Sequence, residues 1–128
     1  MPDRALVLEV LGTILAAARR VAQRSSGLRS PSDLTSSEQA VERLDAICMQ
    51  LIVIGEAIKR LDRITGQRLL ARYPEVDWRS AKGLRDIISH DYGGVDAAAV
   101  FDLCGRDIPV LIGTVQRMIA DTERGTDV

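Results

Sequence analysis

The residues best suited to chemistry lie in one run, Arg85-Asp86-Ile87-Ile88-Ser89-His90-Asp91-Tyr92-Gly93-Gly94. Arg85 offers a planar, permanently charged fork that matches a phosphate. His90, the only histidine in the chain, can take or give a proton near neutral pH. Cutting an RNA phosphodiester without a metal needs those two functions. One group removes the ribose 2′-hydroxyl proton or protonates the leaving oxygen, and another stabilises charge on the phosphate. Tyr92, ahead of two glycines in an expected turn, adds a hydroxyl open to substrate contact or covalent modification. The same residues also fit a plainer arrangement, in which His90 caps a helix, Arg85 makes a surface ion pair and the Tyr92 ring packs on the helix end.

Spacing constrains the first reading. At about 100° per residue, Arg85 and His90 stand roughly 140° apart around an ideal helix. Their tips converge only if the helix ends near His90, or if a two-fold axis brings two copies of the segment into one cleft. Asp86, four residues before His90, could orient the imidazole if the helix continued. Other chemistries find little support. Cys48 and Cys104 fall in apolar helical stripes and read as buried, reduced thiols. A Cys48–His90 nucleophile pair would need the fold to join them. Two cysteines and one histidine give little basis for a metal site. There is no phosphate-binding glycine loop or EF-hand pattern, and the acids are too scattered to propose a carboxylate pair, so no cofactor is expected.

Helices must position these groups. Val7, Leu11, Ile14, Ala18 and Val21 recur at helical spacing and predict a first helix over about 4–24. A polar, turn-rich connection follows at about 25–36 and reads as a mobile loop. Ser36 or Ser37 can cap a second helix, whose seam is Leu44, Ile47, Leu51, Ile54, Ile58 and Leu61. Gly55 lowers helix propensity there by about 1 kcal/mol relative to Ala, an indication of a close helix crossing or an approaching ligand. Gly66 ends this element, and a short turn through Leu69, Leu70 and Tyr73 leads to a break at Pro74. Asp77 caps a third helix, 78 to about 90, with Trp78, Ala81, Leu84 and Ile88 inward. Asp96 caps a fourth, about 97–121, carrying Val100, Cys104, Ile108, Leu111, Val115 and Met118. Pro109 should kink it. The tail from about 122 to 128 is polar and expected to fray. The sum is one all-α domain over 1–128, an antiparallel helical bundle with four main helices.

Composition agrees. Apolar residues make up 46% and aromatics only 3%, which suits helix-on-helix packing more than aromatic-rich strands. Without a signal peptide pattern or an apolar run long enough to span a bilayer, a cytoplasmic protein with no membrane partner is expected. The net charge of −1 hides an asymmetry: residues 59–85 hold eight basic and three acidic residues, and 86–128 hold three basic and eight acidic. The basic stretch could form a local anion-binding surface, or simply solvated helix faces.

The ordered set Ile54-Gly55-Glu56-Ala57, Pro74 to Trp78, and Gly83-Leu84-Arg85 through His90-Asp91-Tyr92-Gly93-Gly94-Val95-Asp96 resembles the HepT-like toxins of the HEPN superfamily. The resemblance runs over most of residues 4–121. It implies a HEPN-like antiparallel four- to five-helix bundle, a homodimer and a metal-independent ribonuclease with an R-x4-H-x-Y motif. Arg85 and His90 then stand at the catalytic positions, and Tyr92 at the motif tyrosine. It implies a toxin of a type VII-like toxin–antitoxin pair, cutting cellular RNA such as transfer RNA. The partner would be a minimal nucleotidyltransferase antitoxin that moves AMP from ATP onto Tyr92. Asp86 and Glu56 become supporting residues, although a solvent-facing role for Glu56 is equally open, and Arg79, Lys82 and Arg85 become RNA contacts. The alternative is a helical module that binds nucleotide or a nucleotidyltransferase and cleaves nothing.

Overall fold

The computed structural model describes residues 3–90 and 94–125. Three long helices form the frame: α1 (Arg4–Ser25), α2 (Glu38–Ile64) and α6 (Ile108–Glu123). Between the last two lie α3 (Trp78–Lys82), α4 (Leu84–Ile88), a hairpin of β1 (Ser89–His90) and β2 (Gly94–Val95), and α5 (Ala97–Asp102). Three caps are those expected from the sequence: Ser37 accepts from the Ala40 amide at 3.0 Å, Asp77 from Ser80 and Asp96 from Ala99. The structure adds Asp3, which caps α1 by accepting from the Ala5 and Leu6 amides. Each satisfies a donor the first turn leaves open.

α1 packs between α2 and α6, antiparallel to both. Arg43, near the start of α2, donates to the carbonyls of Arg24 and Ser26 at the end of α1. At the other pole, the end of α6 at Gly125 meets the Arg4 side chain. The seam expected from periodicity is the core: Val7, Leu11, Ile14, Ala18 and Val21 meet Leu51, Ile54, Ile58 and Leu61, all fully buried, with Val115 and Met118 from α6. Burying each such Leu, Ile or Val side chain contributes about 1.5–3 kcal/mol. Among the described residues no helix is long and apolar enough to cross a membrane.

The structure departs from the expected elements in four places. The 25–36 connection contains a 3-10 turn, Pro31–Leu34, that plants Leu34 in the core, and Asp33 secures it by accepting from the Arg29 and Ser30 amides. The third helix is divided at Gly83, and its second half stops at Ile88 rather than near 90. The fourth is interrupted by a π turn, Leu103–Asp107. Pro109 has no backbone N–H to donate, and the widened turn lies just before it, with the Ile108 amide reaching back five residues to the Leu103 carbonyl. Finally, α6 runs to Glu123, past the expected end, because Thr122 is fully buried. Residues 126–128 of the expected frayed tail lie outside the described residues.

A polar lock fixes the approach to α3. Trp78 Nε1 donates to the Tyr73 carbonyl at 2.8 Å, and the Tyr73 hydroxyl donates to Asp121 on α6 at 2.7 Å. The Arg117 guanidinium lies 5.1 Å from the centre of the Tyr73 ring and pairs with Glu75. Cation–π attraction and the ion pair therefore clamp the 73–78 segment onto α6.

Candidate active site

The motif straddles a change of backbone type. α4 has barely more than one turn, and Arg85 sits within it, exposed, its carbonyl accepting from the Ser89 amide. Ser89 then turns to extended geometry, φ −84° and ψ 135°. Ser89 pairs with Val95 and His90 with Gly94, and the Asp96 amide donates to the Ile88 carbonyl at 2.8 Å. The helical separation of Arg85 from His90 therefore does not apply, because the helix ends two residues before the histidine. The i,i+4 alignment of Asp86 with His90 is absent for the same reason; Asp86 is exposed on α4. The backbone of His90 is described but its side chain is not, and Tyr92 lies outside the described residues.

Gly55 explains how α4 meets α2. A Cβ at this position would stand 3.2 Å from the Ala81 carbonyl oxygen and 3.4 Å from Leu84 Cβ. The absence of a side chain lets the α3–α4 corner lie directly on α2, which is the close crossing the sequence hinted at. The next residue on each side is then a polar one: Glu56 on α2 and Arg85 on α4. Glu56 is exposed and accepts from Lys59 Nζ at 2.8 Å. That hydrogen bond first, then the charges of Lys59 and Arg85, hold the Glu56 carboxyl below its usual range. Glu56 thus belongs to the surroundings of Arg85 while remaining solvent-facing.

The three expected RNA contacts fare differently. Arg79 and Arg85 are exposed and form no ion pair among the described residues. Lys82 is only part-exposed and donates to the largely buried Asp62 at 2.8 Å, tying α3 to α2. Sequence reading did not foresee that pairing, since twenty residues separate the partners. Cys48 and Cys104 are buried free thiols, and burial pushes Cys48 up to about 11, away from any nucleophilic role near neutral pH. No group of three His, Cys, Asp or Glu among the described residues is placed to hold a metal ion. A groove of about 380 Å³ lies on the other side of α4, against α5 and α6, lined by Leu84, Ile87, Leu103 and Leu111. Arg85 does not face it, so cavity size alone would point away from the motif.

The described residues form an all-α bundle in which an exposed arginine on the short α4 precedes a histidine in the two-residue strand that follows. The chain belongs to the ribonuclease HepT-like family, whose model matches residues 14–118. It is 32% identical over 78 residues to "Putative RNase MJ0127" of Methanocaldococcus jannaschii, 61% of each chain. It is 34% identical over 73 residues to "Probable ribonuclease HepT" of Thermococcus cleftensis, covering 57% of this chain and 63% of that one. The matched segments thus span about three-fifths of the length of these relatives. Comparison with solved structures returned no match.

Proposed function

We propose that this chain is a cytoplasmic, metal-independent endoribonuclease, a toxin that acts as a homodimer on cellular RNA such as transfer RNA. The observation that carries the reading is the pairing of family membership with an intact Arg85-x4-His90-x-Tyr92 motif on a helix end that opens into a strand. In the mechanism, His90 takes the 2′-hydroxyl proton. The 2′-oxygen bonds to phosphorus as the bond to the 5′-oxygen breaks, leaving a 2′,3′-cyclic phosphate and a 5′-hydroxyl. Arg85 holds the phosphate and balances the charge that builds on its oxygens. In a symmetric dimer the second His90 gives the leaving 5′-oxygen its proton, so base and acid are the same residue in two copies. Glu56 steadies the Arg85 surroundings, and Asp86 adds a carboxylate beside them.

The partner in this reading is a minimal nucleotidyltransferase antitoxin. It moves AMP from ATP to the Tyr92 hydroxyl, with pyrophosphate leaving. A phosphodiester placed two residues from His90 would put a bulky anion where the RNA phosphate must sit. The test is the chemistry of the product. A purified transfer RNA pool should yield fragments with 2′,3′-cyclic phosphate ends, and a DNA oligonucleotide should remain whole. Cleavage of DNA would contradict the 2′-hydroxyl mechanism. RNA binding with no cleavage of a broad RNA set would favour the non-catalytic module.

A further inference from the structure

Beyond Gly55, the last turns of α2 present Glu56, Lys59, Arg60 and Arg63 at helical positions 0, 3, 4 and 7, within one arc of about 100°. All four are exposed. Gly55 touches Leu84, so this arc begins beside Arg85. Two of the acids near it are matched by a lysine, Glu56 by Lys59 and Asp62 by Lys82, both at 2.8 Å, while Asp86 stands exposed beside Arg85. Arg60, Arg63 and Arg85 form no ion pair among the described residues. Three guanidiniums without an ion pair among the described residues thus border one surface of a chain whose net charge is −1. We propose that Arg60 and Arg63 continue the Arg85 site as a phosphate-binding track that holds the RNA strand on one side of the scissile bond.

The chemistry favours a nucleic-acid backbone over a protein partner. Arg60 and Arg63 are three residues apart, an advance of about 4.5 Å along the helix, close enough for their long side chains to serve neighbouring phosphates of one strand. Guanidinium forks suit phosphate oxygens. The arc bears no exposed apolar anchor, whereas the centre of a protein interface is depleted of charge. A track of this kind adds affinity and register without reading bases. It rests on the ribonuclease reading for the identity of the strand, and its test is kept independent of cleavage.

The experiment measures binding of a fluorescein-labelled transfer RNA by anisotropy over a salt series, with the full chain in a His90→Ala background. Arg60→Gln/Arg63→Gln is compared with Arg19→Gln/Arg20→Gln, which removes equal charge from two exposed positions near the far end of α1. Circular dichroism checks folding of each. The α2 double variant should bind on the order of tenfold more weakly at low salt, with a salt slope smaller by about 1.4, two single-strand phosphate contacts at about 0.7 each. The α1 variant should match the background protein. Equal loss in both variants, or loss in neither, would overturn the track. RNA binding unchanged in the α2 variant alongside lost binding to a purified nucleotidyltransferase partner would also overturn it, and would assign the arc to that protein. If the unmutated His90 protein cuts no RNA, the ribonuclease reading fails while this binding comparison still decides the track.

Discussion

Arg85 and His90 serve one phosphate only if guanidinium geometry matters as much as charge. Arg85→Ala should lower kcat on RNA on the order of 10²- to 10³-fold, the loss typical of one preorganised donor. Arg85→Lys keeps the charge but loses the fork, so it should recover only part of that rate; initial rates on one RNA check both. The thiols give a separate test at this scale. With Cys48 pushed up to about 11 from an ordinary 9.0, only about a thousandth of it is thiolate at pH 8. Folded protein should react with a thiol reagent far more slowly than unfolded protein. The unfolded state loses this proton first as pH rises. The stability associated with the buried thiol is therefore full below pH 9 and declines up to about 11, which denaturant titrations across that window measure. A rise in stability over the same window would contradict burial of Cys48. The motif residues were legible in the sequence because arginine and histidine carry distinctive chemistry. The helix end between them was not, since two short backbone pairings, Ser89 to Val95 and His90 to Gly94, leave no periodic trace.

At the scale of elements, the crossing at Gly55 controls where Arg85 stands. Gly55→Ala gains about 1 kcal/mol of helix propensity but sets a Cβ 3.2 Å from the backbone oxygen of Ala81. The two effects oppose, so melting should show no net gain in stability. Gly55→Leu has no room at all: it should cost about 1–3 kcal/mol or more, displace the α3–α4 corner and reduce cleavage more than Gly55→Ala does. A Gly55→Leu protein with native stability and activity would refute the close crossing. The long helices were readable because each has a cap and a sustained stripe, as with Ser37 and the Leu44–Leu61 seam. The division at Gly83 was not, because its φ of −100° is open to any residue and marks nothing. Pro109 announced a disturbance, but whether a kink or a π turn results depends on packing around Cys104 and Ile108.

At the scale of the whole molecule, the account needs two copies. If base and acid are the His90 of the two protomers, a dimer of one wild-type and one His90→Ala chain keeps only one of them and should cut RNA on the order of a hundredfold more slowly than the wild-type dimer. Half the wild-type rate in that mixed dimer, its composition confirmed by mass, would place a complete site within one protomer. The charge asymmetry was visible in the sequence as a basic 59–85 stretch, but not which of its members are free. The ion pair of Lys82 with Asp62 and that of Lys59 with Glu56 are tertiary or helical-face facts, and among the described residues Arg60, Arg63 and Arg85 form none.

The most direct measurement is cleavage of total cellular RNA in excess EDTA by unmodified wild type, Arg85→Ala and His90→Ala, each shown to be folded. The account predicts fragments from the wild type and none from either variant. Equal cleavage by all three would contradict it and move the activity away from Arg85 and His90.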